Sequence, residues 1–565
     1  QRRFFNKGVK PNICVLENVH FDGNELKDYM DFVGRDLFTA PLQTTLRQFE
    51  EADNFGSLIR PDVTDVAGML KTLESKNVSG HLFLSMTHQK VLQALRQADY
   101  LSPKYHVVIA NPPYMGGKGM NGRLAAWIKD NYPAGKSDLY ATFIERNLEL
   151  ATKGGMVAMI TMQSWMFLTS YENLRIAITR QGTILSMAHL GARAFDSIGG
   201  EVVSTTSFIL RNTNAPTYEG DFIRLIDGNS EAEKEEKLLQ AVADRNCGWL
   251  YSSSSSDFHK IPGGPIAYWV GEKLLTAFMK EKLRDVADAK QGMATSDNER
   301  FLRLWYEVDF ENTCFQCKSS SESERRDEKW YAYNKGGTFR RWYGNNEYVV
   351  NWHKNGEELK AFVEEINKLR PGGRLKNQEY YFLENITYSA LSSGLFSARY
   401  NPPGFLFDTK GSCIFPKKIT IGNLISFLNS KVAQECLNIL CPTLDYSSIG
   451  INAVPVVRIE DLFKSEMLIK VGKEDWDAVE TSWDFTSLPL LNPDYHQPTL
   501  KATYQKLRAH WREMTLEMQR LEEENNRIFI DAYGLQDELK PEVSLNEITL
   551  TCNPHYRYGV EECEV

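Results

Sequence analysis

Long hydrophobic runs are missing from this sequence. Its 565 residues contain no stretch of eighteen or more consecutive apolar side chains, so a transmembrane helix is not expected. The opening residues, Gln1-Arg2-Arg3-Phe4-Phe5, lack a methionine and the apolar core of a secretory signal. Cysteine is sparse as well. Nine cysteines, an odd and scattered set, argue against a disulfide framework and point to a reducing cytoplasm. Nor is there an excess of positive charge. Lys and Arg number 65 against 74 Asp and Glu, for a net charge of −9, so any nucleic-acid surface must be local.

What is present suggests three or four domains, at roughly 100–200 residues each. In the first hundred residues Ile13-Cys14-Val15-Leu16 reads as a strand, and Met69 to Leu73 and Val91 to Leu95 as pieces of helix. The clearest α/β signal follows. His106-Val107-Val108-Ile109-Ala110 is a short apolar run of the kind expected of a buried parallel strand. Leu139, Phe143, Ile144, Leu148 and Ala151 recur at helical spacing, and Met156 to Ile160 reads as a second strand after Gly154-Gly155. A helix near Tyr171 to Ile178 and strands near Ile184 to Leu190 and Val202 to Leu210 extend the pattern, which predicts a doubly wound sheet. From about 215 to 470 the elements are short and aromatic-rich, predicting a mixed α+β domain. Ser252 to Ser256 and Ser319 to Lys329 read as exposed loops. Leu500, Tyr504, Leu507, Trp511, Met514, Met518 and Leu521 form a heptad seam on one long helix.

Asn111-Pro112-Pro113-Tyr114 stands directly after the first clear strand, where ligands of open α/β sheets bind. The residue types suit chemistry on an exocyclic amine. The Asn111 side-chain amide and the Pro112 backbone carbonyl can accept both amino hydrogens, drawing electron density onto the nitrogen. Pro112 and Pro113 fix their own φ angles and supply no competing N–H. Tyr114 offers a flat face to a base that has left the duplex.

Those residues carry a resemblance. Val108 to Tyr114 resembles the catalytic motif of S-adenosylmethionine-dependent amino-group methyltransferases, above all the adenine-specific DNA enzymes. Ser137-Asp138-Leu139-Tyr140-Ala141-Thr142-Phe143 and Gly154-Gly155-Met156-Val157 match the next helix and strand of that domain in order, and Ala194-Phe195 resembles the position whose ring closes the other face of the flipped adenine. Segments at Ala294 to Asn298, Lys335 to Asn345, Phe427 to Ala433 and Asn525 to Ile530 are similar to the large methyltransferases of the BREX phage-defence system, related to fused restriction–modification enzymes. The resemblance implies a Rossmann-like class I methyltransferase domain over 1–215, an α+β target-recognition domain over 216–470 and a helical C-terminal segment over 471–565. It implies S-adenosylmethionine as donor, methylation of adenine in specific duplex DNA sites, and defence-system proteins as possible partners. The alternatives are a DNA-specificity module without turnover and a glutamine-amide methyltransferase. One departure stands out. The glycines before Asn111 (Gly8, Gly23, Gly34, Gly56, Gly68 and Gly80) form no G-x-G, so the first domain is expected to be incomplete at its start. Of the donor site only Asn111 is then expected here, and donor binding by this chain alone should be poor.

Four further patterns invite function. Gly117-Lys118-Gly119-Met120-Asn121-Gly122 fits G-x-G-x-x-G, but the Asn-Pro-Pro-Tyr motif separates it from its strand, and a mobile loop over the substrate is the plainer expectation. The second Asn-Pro-Pro, at 401–403, reads as a turn. Cys314 and Cys317 form a C-x-x-C with no second ligand pair nearby, so no metal is expected and surface thiols are. From Lys329 to Lys354, five cations stand against Glu347 alone, interleaved with eight aromatic residues. Lys335, Arg340 and Arg341 are accordingly the expected DNA contacts.

Overall fold

The computed structural model describes residues 12–34, 40–78, 82–196, 203–372, 374–392, 394–443, 445–459 and 464–560. The chain divides into two compact units, Gln1–His259 and Lys260–Val565.

The first unit begins with helices α1 (Glu25–Val33), α2 (Ala40–Gln48), α3 (Val66–Glu74) and α4 (Leu82–Leu101). In α4, Val91, Leu92, Leu95 and Ala98 recur every three or four residues and bury one face against Tyr29, Leu46 and Phe49. The expected strand at 13–16 is not there. Residues 12–22 have no regular structure, and Ile13 and Val15 are exposed, so this run finds no partner strand among the described residues.

The sheet follows: β1 (Tyr105–Ala110), α5 (Gly122–Asn131), α6 (Leu139–Leu150), β2 (Ala151–Met162), α7 (Glu172–Gln181), β3 (Thr183–Gly191), β4 (Thr205–Arg211), β5 (Gly220–Arg224), α8 (Glu231–Ala243) and β6 (Leu250–Ser253). Its order is β1-β2-β4-β3-β5-β6. β1 runs parallel to β2 and β3 to β5, while β4 lies antiparallel between β2 and β3. The sheet is therefore mixed, and β1, β2 and β3 all end on one edge. Residue 202 lies outside the described residues, so the strand expected from Val202 is seen only from Thr205. The domain edge expected at 215 is carried on to His259, because β5 pairs with β3 and β6 with β5.

Among the described residues β1 lies at the edge of its sheet, whereas its composition predicts a buried strand. Val107 is 56% and Ile109 77% exposed, and only β2 pairs with it among the described residues. Continuous apolarity is the mark of a strand covered on both faces. Here one neighbour strand is all the described residues supply. The serines at 252–256 also differ from expectation: Ser254 and Ser255 are buried, and Ser254 forms a capping box with Asp257.

The second unit holds two sheets. One contains β8 (Leu302–Leu304), β9 (Thr313–Cys314), β10 (Trp330–Asn334), β11 (Tyr348–Asn351) and β14 (Leu406–Phe407). The other has β7 (Ala287–Lys290), β12 (Asn385–Ser389), β13 (Ala398–Asn401) and β15 (Gly411–Pro416) in the order β13-β12-β15-β7. The second Asn-Pro-Pro does form a turn: β13 ends at Asn401, and Gly404 adopts φ +125 where a Cβ would sit 2.6 Å from the Phe315 carbonyl oxygen. Helices α9 (His353–Leu369), α10 (Ile421–Leu428), α11 (Lys431–Leu440), α12 (Ser465–Asp477) and α13 (Leu500–Tyr533) complete the unit.

The 471–565 segment is not a separate domain. Thr499 caps α13, Gly534 ends it in the left-handed region, and Met518, Leu521, Phe529, Ile530 and Tyr533 enter the same core as Phe427, Val432 and Leu437. Each such fully buried side chain contributes about 1.5–3 kcal/mol. The heptad seam therefore finds its cover within the unit at Met514, Met518 and Leu521. Leu500 and Tyr504 remain exposed.

Candidate active site

The Asn-Pro-Pro-Tyr loop leaves the carboxyl end of β1. Asn111 and Pro113 are exposed, Pro112 is buried and Tyr114 is half-buried. A staple fixes the exit of the loop. The Met115 amide donates to the Asp138 Oδ1 at 2.9 Å, and the Leu139 amide donates back to the Met115 carbonyl at 3.1 Å. Asp138 is also the N-cap of α6, accepting from the Tyr140 amide at 3.3 Å. One carboxylate thus joins the motif to the start of the next helix. Burial pushes the Asp138 carboxyl up, and the backbone amides aimed at it act in the opposite direction.

The Tyr114 ring meets Tyr140 edge-on at 5.9 Å, and Tyr140 reaches Ser164 Oγ at 2.8 Å and stacks obliquely on Tyr171 at 6.0 Å. Burial raises the Tyr114 and Tyr140 hydroxyls, so both stay neutral donors at physiological pH. Residues from the ends of β2 and β3 complete this edge of the sheet. His189 Nε2 lies 2.8 Å from Gln163 Oε1, and burial pushes its imidazole down to about 3. His189 is therefore neutral and is no acid catalyst at physiological pH.

Phe195 is half-buried in the loop after β3, close to the undescribed residues 197–202. Among the described residues no ring contact joins it to Tyr114. The sequence reading missed the staple by Asp138 and the polar floor of Tyr140, Ser164 and Tyr171. The Ser137-Asp138-Leu139-Tyr140 tetrapeptide was its one visible signal. The G-x-G-x-x-G segment makes a turn, with the Gly119 amide on the Gly116 carbonyl, and Asn121 then caps α5 through the Leu124 amide at 2.8 Å. The segment is thus an ordered turn that opens a helix.

Burial corrects two of the expected DNA contacts in the second unit, Arg340 and Arg341, while Lys335 stays partly exposed. Arg340 is 4% exposed and donates to the Tyr343 carbonyl, Thr551 Oγ1 and, at 2.7 Å, Asp475 Oδ2. Arg341 is 8% exposed and pairs with Glu522 at 2.6 Å and Glu547 at 3.2 Å; the Trp342 indole N–H donates to the same Glu522. Lys335 pairs with a buried Asp408 at 3.1 Å. Both guanidinium groups are internal braces. Tyr331, Tyr333, Trp342, Tyr343 and Trp352 are buried core. Cys314 and Cys317 are likewise buried rather than surface thiols. A hydrogen bond from the Cys317 thiol brings the Cys314 thiol down to about 7 and pushes the Cys317 thiol up. Among the described residues no group of three or more His, Cys, Asp or Glu could hold a metal, and no helix is long and apolar enough to cross a membrane.

The chain was compared with known proteins. The Eco57I restriction-modification methylase family matches residues 47–195, which include β1, the Asn-Pro-Pro-Tyr loop and β3. The adenine-specific methyltransferase PglX of Lacticaseibacillus casei (strain Zhang) is 36% identical over 97% of this chain and 46% of its own length. The chain is similar to this methyltransferase along nearly its whole length. The adenine-specific methyltransferase BrxX of Escherichia coli O9:H4 (strain HS) is 34% identical over 99% of this chain and 47% of its own length. The chain thus spans about half the length of these PglX-type relatives. Among solved structures, the Type IIL restriction-modification enzyme MmeI in complex with DNA aligns with 93% of this chain and 77% of its own, at 11% identity and a TM-score of 0.45.

Proposed function

We propose that this chain carries the amine-handling and DNA-reading parts of a site-specific adenine methyltransferase acting in a phage-defence setting. The observation that carries this reading is the Asn-Pro-Pro-Tyr loop at the carboxyl end of β1, stapled by Asp138, in a chain homologous to two adenine-specific methyltransferases. The target is the exocyclic amine of an adenine flipped out of duplex DNA. Asn111 Oδ1 and the Pro112 carbonyl accept its two hydrogens and hold the nitrogen lone pair out of conjugation with the ring. Tyr114, braced edge-on by Tyr140, supports one face of the base, and Phe195 closes the other.

The methyltransferase relatives imply S-adenosylmethionine as the donor. Tested against this structure, the described residues do not make a site for it. Among the described residues no strand pairs with the outer edge of β1, and the turn after β1 carries two prolines rather than glycines. The chain's own residues therefore prepare the amine, and no further step is assigned to them. The test is Asn111→Ala introduced at the genomic locus, with adenine methylation read by single-molecule sequencing. Loss of the site-specific mark is expected; its survival overturns the assignment.

A further inference from the structure

A cleft of about 1620 Å³ opens in the second unit, far along the sequence from every residue considered so far as a DNA contact. α12, the segment 484–495, the first four turns of α13 and residues 551–560 line it. Tyr504, Arg508, Trp511 and Arg512 project into it from one face of α13, because positions i, i+4, i+7 and i+8 share a face. Arg557 and Tyr558 approach from the C-terminal segment.

Its charge decides what fits. Each acidic side chain lining the cleft is already matched: Glu474 by Lys470 at 3.7 Å, Asp477 and Asp484 by Lys473, and Asp475 by the buried Arg340. Arg508, Arg512 and Arg557 are exposed and have no acidic partner within 4 Å among the described residues. Three guanidinium groups without an acidic partner thus remain beside exposed rings, Tyr504 at 49% exposure and Tyr558 at 69%, the Arg557 guanidinium lying over the Tyr558 ring at 5.4 Å. Arg508 and Arg512, one turn apart on α13, lie about 6 Å from each other and can reach successive phosphates. An apolar peptide would leave those charges unanswered, whereas a polyanion with flat faces or edges answers both features.

We infer that this cleft docks the sugar–phosphate backbone of duplex DNA, with Arg508, Arg512 and Arg557 as its phosphate contacts. The inference rests on the proposed function for its choice of DNA. It assigns to these three residues the role that burial removes from Arg340 and Arg341.

The test is fluorescence anisotropy of the whole chain with a 30-base-pair duplex across a series of salt concentrations. The variants are Arg508→Ala/Arg512→Ala/Arg557→Ala and, as a control, Arg520→Ala. Arg520 is exposed on the same helix and held by Glu517 and Glu524. Each phosphate contact contributes about 0.9 to the slope of log affinity against log salt, so the triple variant should lose up to about 2.7 and the control nothing. A thermal melt by circular dichroism shows whether the triple variant is folded, and three exposed side chains should leave it so. An unchanged slope in the triple variant, an equal loss in Arg520→Ala, or wild-type preference for polyglutamate over duplex each overturns the inference. The two proposals fail separately. Asn111→Ala should abolish methylation with the salt slope intact, so loss of the mark together with an unmoved triple-variant slope sinks the cleft alone.

Discussion

Removing Arg341 should damage the fold rather than DNA recognition. Its guanidinium sits 2.6 Å from Glu522, whose carboxylate also accepts the Trp342 indole N–H at 2.7 Å and is 4% exposed. Burial already pushes the Glu522 carboxyl up, and the positive charge of Arg341 opposes it. Arg341→Ala leaves a buried carboxylate with one neutral donor, and breaking a buried pair from one side costs about 3–5 kcal/mol. At about 2–4 °C per kcal/mol for a large unit, the melting transition of the second unit should fall by roughly 6–20 °C. Replacing Arg341 and Glu522 by leucine should cost much less than the two single changes together, because no fully buried charge is then left unpaired and Glu547 is partly exposed. The assay is urea or thermal unfolding of the four-member cycle, with DNA binding of each variant measured where it is folded. A cost below about 1 kcal/mol for Arg341→Ala, with a flatter salt dependence of DNA binding, refutes the reasoning and returns Arg341 to the DNA surface.

Two other perturbations bear on the first unit. Asp138→Ala should cost about 1 kcal/mol as a lost helix cap and should also lower methylation, because the Met115 amide is released; Asp138→Asn keeps an acceptor and should restore most of both, measured by unfolding and by the methylation mark. His189 makes the first unit acid-labile. Its folded imidazole titrates at about 3 against about 6.5 unfolded, so its contribution is complete above pH 6.5 and is lost progressively as pH falls toward 3. At pH 5 the loss is about 2 kcal/mol, and His189→Gln should flatten the acid limb of a stability–pH curve; an unchanged limb contradicts the burial argument.

The first sheet was largely legible because its signals are local. The apolar runs at 106–110 and 156–160, the helical spacing from Leu139 and the motif between them all lie where the sequence places them. Exposure was not legible. A run such as His106 to Ala110 reads as buried whether it has one neighbour strand or two, and among the described residues it has one. The Lys329–Lys354 stretch misled for a related reason. Its charges are local, but the carboxylates that neutralise Arg340 and Arg341 lie 135, 181 and 206 positions away. The α13 seam shows the same limit: spacing gave the helix, whereas only the fold shows that Met518 and Leu521 meet core while Tyr504 and Trp511 meet a cleft. Composition cannot distinguish a basic patch from a set of buried braces, since that depends on partners brought in by tertiary folding.

The central claim is that the Asn111 amide, held at the end of β1, handles the amine of a flipped adenine. Site-resolved sequencing of adenine methylation in cells carrying Asn111→Ala tests it most directly. The account predicts loss of the modified-adenine mark from its sites, with the protein still folded and still bound to duplex DNA. Persistence of the mark at wild-type levels contradicts it.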